Sequence, residues 1–96
     1  MCSKKSAFPF TIFLKGDVYM LDPIKVGRAI QKVREDKKLS QEVVSGLAGI
    51  GRTHLSAIER GERKPTLETF FKISDAMNIT PSELMTKIEK ELSGNC

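Results

Sequence analysis

The chain has 96 residues, 40% of them hydrophobic and 29% charged, which suits one globular domain with a modest core and leaves little room within it for a second, ligand-sensing domain. Against 12 Asp and Glu there are 16 Lys and Arg, a net charge of +4, and that excess permits a nucleic-acid partner without demanding one. No stretch approaches the roughly 20 consecutive apolar residues of a membrane span, and one histidine with two cysteines at the chain ends, Cys2 and Cys96, supplies no metal-ligand cluster.

Residues 1–22 form a short N-terminal arm rich in β-branched and aromatic residues, "FPFTIFL", then "KGD", then "VYML". The apolar stretch is short, contains Pro9 and lacks a small-residue cleavage site, so it is a poor signal peptide. The terminal cysteines then read as free thiols in a reducing cytoplasm. Three readings of the arm stand side by side: a disordered segment, an extended or β strand pair used in dimerisation, or a mis-annotated leader ahead of a native start at Met20. The third rests on "KGDVYM", which back-translates to a purine-rich AAAGGAGAT a few bases before ATG.

From residue 23 to residue 92 the pattern is helical. Asp22-Pro23 is an N-cap followed by a first-turn proline. Val26, Ile30 and Val33 recur at helical spacing, and Lys37-Lys38 place cations at the negative end of the dipole. Ser40 caps a second helix with Val44, Leu47 and Ala48 on its apolar side and Gly49 as a left-handed terminator. A third helix runs from about Gly51 to Arg60, stopped by Gly61. Thr66 caps a fourth, carrying Leu67, Phe70, Ile73, Ala76 and Met77 and ended by Asn78. Thr80 to Glu83 is a capping box with Pro81 in the first turn, and Leu84, Met85, Ile88 and Leu92 stripe the fifth helix. Five helices joined by short loops make an all-α bundle.

The outer face of the third helix is unusual. On a wheel of about 100° per residue, Leu55 and Ile58 point inward, while Thr53, Ser56, Ala57 and Arg60 point outward. Arg52 and His54 flank that face. A helix kept only for solubility carries long charged residues there. Short side chains edged by cations let a helix approach a partner closely, as entry into a B-DNA major groove about 12 Å wide requires.

These residues carry a family resemblance. "SQEVVSGLAGIGRTHLSAIERGERKPTLETFFKISDAMNITPSEL" resembles the lambda-repressor-like, Cro-type helix-turn-helix proteins of the XRE family over residues 24 to 85. Ser-Gln opens one helix, a glycine follows nine residues after the serine, Ile-Glu-Arg-Gly ends the next helix, and Pro-Thr-Leu-Glu-Thr comes after it. The resemblance implies a helix-turn-helix at about 40–60, with 51–59 as the recognition helix in the major groove. It also implies homodimers on palindromic sites. Position by position, Arg52, Thr53, His54, Ser56 and Ala57 would face bases, with Arg52 as the guanine reader. Gln41 would clamp a phosphate through its backbone N–H and side-chain amide, and Arg60, Arg63 and Lys64 would add phosphate contacts. Arg34 aligns with a family position that forms a buried ion pair with Glu59. Two departures stand out. His54 replaces a common aromatic and brings a pH dependence with it, and Ser45 replaces an alanine that packs on the third helix.

Bland readings compete with these. Phe70, Phe71, Met77 and Met85 at helical spacing are core or interface rather than a cofactor box. His54 has no carboxylate or thiol clearly placed beside it to make it a catalyst. Val43, Phe71, Ile88 and Leu92 exceed what a small monomer buries, which predicts a dimer seam. The reading is therefore a cytoplasmic, homodimeric, sequence-specific DNA-binding regulator of transcription. It has no enzyme activity, no cofactor, no membrane association and no small-molecule ligand. The alternative is an antitoxin or anti-repressor whose main surface meets another protein.

Overall fold

The structure, a computed structural model, describes residues 21–93. The terminal cysteines and the three readings of the arm lie outside the described residues. Five helices follow in order: α1 Pro23–Asp36, α2 Gln41–Ala48, α3 Arg52–Glu59, α4 Leu67–Ala76 and α5 Pro81–Leu92. Four of the five, all but α3, begin where the sequence places a side-chain cap. The Asp22 carboxylate accepts from Ile24 N–H, the Ser40 hydroxyl from Val43 N–H and the Thr66 hydroxyl from Thr69 N–H. At α5 the Thr80 and Glu83 side chains each accept the other residue's backbone N–H, the reciprocal box expected. Gly49 and Gly61, with φ of 73° and 82°, adopt the left-handed conformation in which a Cβ is disfavoured.

α1 packs on α5 and α3, α2 on α3 and α4, and α4 on α5. The core they enclose is aliphatic, with Ile30, Val44, Leu55, Ile58, Ile73 and Leu84 fully buried at its centre. Two further positions let the helices approach. Ser45 is buried and its hydroxyl donates to the Glu42 carbonyl at 3.2 Å, so the serine in place of alanine costs no unsatisfied group. Gly27 faces the last turn of α3. A Cβ there would lie 2.7 Å from the Glu59 carbonyl oxygen and nearer still to that of Ile58, so α1 and α3 cross at a distance only glycine allows.

Several apolar residues expected inside are not. Leu47 is 68% exposed and Leu67 71%, and Met85 also reaches solvent. The buried stripe of α2 runs through Val44, Ser45 and Ala48, and Leu47 falls about 100° away from its centre. Leu67 occupies the first position of α4 and projects past the edge of the core. In the opposite sense, Ile88, expected at a dimer seam, is fully enclosed by the protein's own core. It shares the inward side of α5 with Leu84, and a side chain spent on the core has no surface left for a partner. Leu92 is half-buried against the same core, and Phe71 is 53% exposed.

Candidate nucleic-acid interface

α2 and α3 are joined by the tight turn Gly49-Ile50-Gly51 and pack on each other, and their relative placement is locked from behind by one polar network. The Glu59 carboxylate, at the last position of α3, receives Arg34 Nε at 2.7 Å and Arg34 Nη2 at 3.1 Å from α1. It also receives Gln41 Nε2 at 2.8 Å from the start of α2. The Arg34 guanidinium spends a third donor on the Leu39 carbonyl at 2.7 Å, in the loop between α1 and α2. Both charged side chains are buried. The hydrogen bond it donates to Glu59 holds the Arg34 pKa above its ordinary value, against the opposing effect of burial. Three helices thus meet at one carboxylate that accepts three hydrogen bonds, and a buried ion pair is tolerated only with such additional bonds. The ion pair between Arg34 and Glu59 is present as expected. The part of Gln41 in it is not visible in the sequence.

That bond revises the expected use of Gln41. One amide hydrogen is committed to Glu59, so the side chain is fixed in place, and its second amide hydrogen and its oxygen remain for a partner. The backbone N–H of Gln41 lies in the first turn of α2, at the positive end of that helix.

On α3, Arg52 and Thr53 are exposed, and His54 and Ser56 are half-buried. Ala57 is only 8% exposed and drops out of the set expected to reach bases. The wheel points it outward, but a wheel fixes direction and not reach, and a methyl group does not clear the residues one turn away on the same face. Glu62 N–H donates to the Ala57 carbonyl at 2.9 Å, so the chain after the helix folds back beside it. Arg63 and Lys64 are exposed on that return, and among the described residues neither enters an ion pair. Arg60 does. Its Nε and Nη2 reach the two Glu62 carboxylate oxygens, each at 2.9 Å, and its Nη1 meets the Ser56 hydroxyl. The partnership with Glu62 was missed in the sequence. Its signal was an acid two residues beyond the arginine across a helix-ending glycine.

The N-terminus of α3 differs from the other four. Gly51 occupies the cap with extended backbone and offers no side chain, and the first turn holds no acid. Its donors instead lie beside Arg52, a cation at the end of the dipole where cations are disfavoured. An exposed row of N–H groups with an arginine at its edge is an arrangement an external anion completes.

The described helices include none long and apolar enough to cross a membrane, and the described residues include no cluster of His, Cys, Asp or Glu able to hold a metal.

Comparison with known proteins agrees with this geometry. A protein-family model described as Helix-turn-helix (HTH_3) matches residues 30–84. The control protein C.MunI from a Mycoplasma species is 42% identical over 69 residues, which cover 71% of this chain and 93% of that protein. Among solved structures, the restriction-modification controller protein C.AhdI from Aeromonas hydrophila superposes with a TM-score of 0.64 at 35% identity, covering 68% of this chain and 98% of that one. The wild-type restriction-modification controller protein C.Esp1396I gives 0.71 at 25% identity, covering 78% and 99%. The lambda-repressor-like arrangement of five helices is thereby the fold of this chain.

Proposed function

The chain belongs to the HTH_3 helix-turn-helix family of DNA-binding transcriptional regulators, proteins that are not enzymes, and we propose that it reads a palindromic operator as a homodimer, in the manner of a restriction-modification controller. The observation that carries this is the outer face of α3. Its uncapped first turn, the exposed Arg52 and Thr53 and the half-buried Ser56 leave a slim helix with donors along one side. That helix enters the major groove, where Arg52 takes the two acceptors of a guanine and Thr53 meets a thymine methyl. Residues His54 and Ser56 lie further along the same groove.

Phosphates on either side fix the depth of entry. The Gln41 backbone N–H and the free amide hydrogen of its side chain take one. Arg63 and Lys64, on the loop beyond α3, take others. Because Gln41 is bonded to Glu59, the phosphate clamp and the reading helix move as one body. A base contact and a phosphate contact held in fixed relation give register.

Dimerisation uses the apolar surface left on α4 and α5, where Phe71 and Met85 are exposed on helices that pack together. Half-sites then lie about one helical turn apart, ~34 Å, or a small multiple of it. The similarity to control proteins favours this reading over an antitoxin or anti-repressor. In the cytoplasm such a protein needs no cofactor and no small ligand. Selection of bound sequences from random DNA, paired with solution mass of the protein alone and with the selected duplex, tests it. A two-fold-related sequence bound by two chains supports it. Enrichment of no sequence, or one chain bound to an asymmetric site, removes it.

A further inference from the structure

On the return of the chain after α3, one acid stands among cations: Arg60, Arg63 and Lys64 are basic and Glu62 is not. Glu62 takes the Nε and Nη2 edge of the Arg60 guanidinium with two bonds of 2.9 Å. This is one of the forked edges an arginine offers to a phosphate. The remaining terminal nitrogen, Nη1, meets the Ser56 hydroxyl, so the arginine lies back along the outer face of α3 instead of extending from it. Both members of the pair are solvent-exposed, and the core gains nothing from them. The hydrogen bond donated by Arg60 lowers the Glu62 pKa from its ordinary value.

We propose that Glu62 is a positioning residue that sets specificity: it keeps Arg60 off the phosphate backbone and lays it beside Ser56 on the reading helix. The inference rests on the operator-reading function above. An unpaired arginine at the end of α3 would bind any phosphate it met and add a counterion-release contribution to every sequence alike. Held by Glu62, it gives random DNA little. Discrimination is a difference of affinities, and a local acid that weakens the wrong complex raises it as surely as a new contact to the right one.

Binding of the full chain to a random duplex and to its selected sequence, measured across a salt series, tests this for Glu62→Gln, Arg60→Gln and the double variant. If Glu62→Gln frees Arg60 for one more phosphate, the slope of log K against log salt on random DNA steepens by about 0.9. Affinity then rises by about eightfold for each tenfold dilution of salt, relative to the wild type. The ratio of selected to random affinity falls. In the double variant the slope returns to that of Arg60→Gln alone, because the gain belongs to the arginine. An unchanged slope in Glu62→Gln overturns the proposal. So does a gain that persists in the double variant, which would mean that the acid acts by simple repulsion. The random-DNA arm needs no operator, so a wild type that prefers no sequence counts against operator reading while the slopes still decide the role of Glu62. All the altered side chains are exposed, and unchanged thermal unfolding checks that the fold is intact.

Discussion

Replacing Arg34 by Met takes away two of the three donors that the Glu59 carboxylate accepts and the cation that balances its charge. The carboxylate is 2% exposed, so water cannot take the place of the guanidinium. Gln41 remains as a single neutral donor at 2.8 Å, and the Leu39 carbonyl loses its 2.7 Å partner as well. Stranding a buried charge in this way costs about 3–5 kcal/mol. A domain of this size holds about 4–11 kcal/mol in total, at 0.05–0.15 kcal/mol per residue, so the variant forfeits about a quarter of its stability or more. Urea unfolding followed by circular dichroism reads this as a fall in midpoint at constant slope. Arg34→Met combined with Glu59→Leu removes both charges and recovers most of the loss, since well-packed apolar replacements of a buried pair are often neutral or better. Gln41 is then released, and the double variant binds DNA more weakly than its stability implies. Strict additivity of the two single losses, or a loss below about 1 kcal/mol for Arg34→Met, would refute the argument that the pair is a coupled, desolvated unit.

Arg52→Ala is expected to cost about 1–3 kcal/mol on the selected sequence and little on random DNA, relaxing the preference at one base pair of each half-site. Lys64→Ala is expected to weaken both duplexes alike and to reduce the salt slope by about 1. Competition binding on the two duplexes separates these roles, and equal losses for Arg52→Ala on both would remove it as a base reader. Phe71→Lys places a charge on the exposed apolar surface of α4 and is expected to shift sedimentation equilibrium toward the monomer while leaving unfolding of the monomer unchanged. A solution mass that does not respond places the seam elsewhere.

Which features were legible in the sequence depends on how local their causes are. Caps are local: Asp22, Ser40, Thr66 and the Thr80–Glu83 box each state a helix start within four residues, and all four starts agree with the structure. Periodicity finds the side of a helix but not what covers it. It therefore puts Leu47 and Leu67 inside, although both are largely exposed, and leaves Ile88 for a seam, although α1 and α5 pack face to face over it. Ala57 shows the same limit at the interface, where a wheel position says nothing of how far a methyl projects. Contacts that join distant segments were the least legible. The crossing of Gly27 over the end of α3 depends on a backbone approach, and the bond from Gln41 to Glu59 depends on where two helices end in space. The pair of Arg60 and Glu62 is local, yet an acid among cations on a loop reads as ordinary solvation.

Local rules for stability and the demands of recognition part company at the start of α3. Its cap position has extended backbone, with φ −70° and ψ 146°, and a Cβ there would meet nothing within 4 Å. Serine or aspartate would fit without strain, yet the chain has Gly51, followed by a cation and no acid in the first turn. Gly51→Asp would cap the exposed N–H groups and complement the dipole. The cap adds a few tenths of a kcal/mol over glycine, and the charge adds about 0.3–1 kcal/mol, so the variant is expected to unfold at a slightly higher urea concentration than the wild type. The same carboxylate would occupy the donors that an anion of the duplex is to take and would face that anion with like charge. Affinity for DNA should therefore fall as stability rises, most steeply at low salt. A variant more stable and no weaker in binding would mean that the bare end of α3 is incidental. A variant no more stable would mean that these donors are already satisfied in the free protein, and the argument from an uncapped reading helix would fail at its first step.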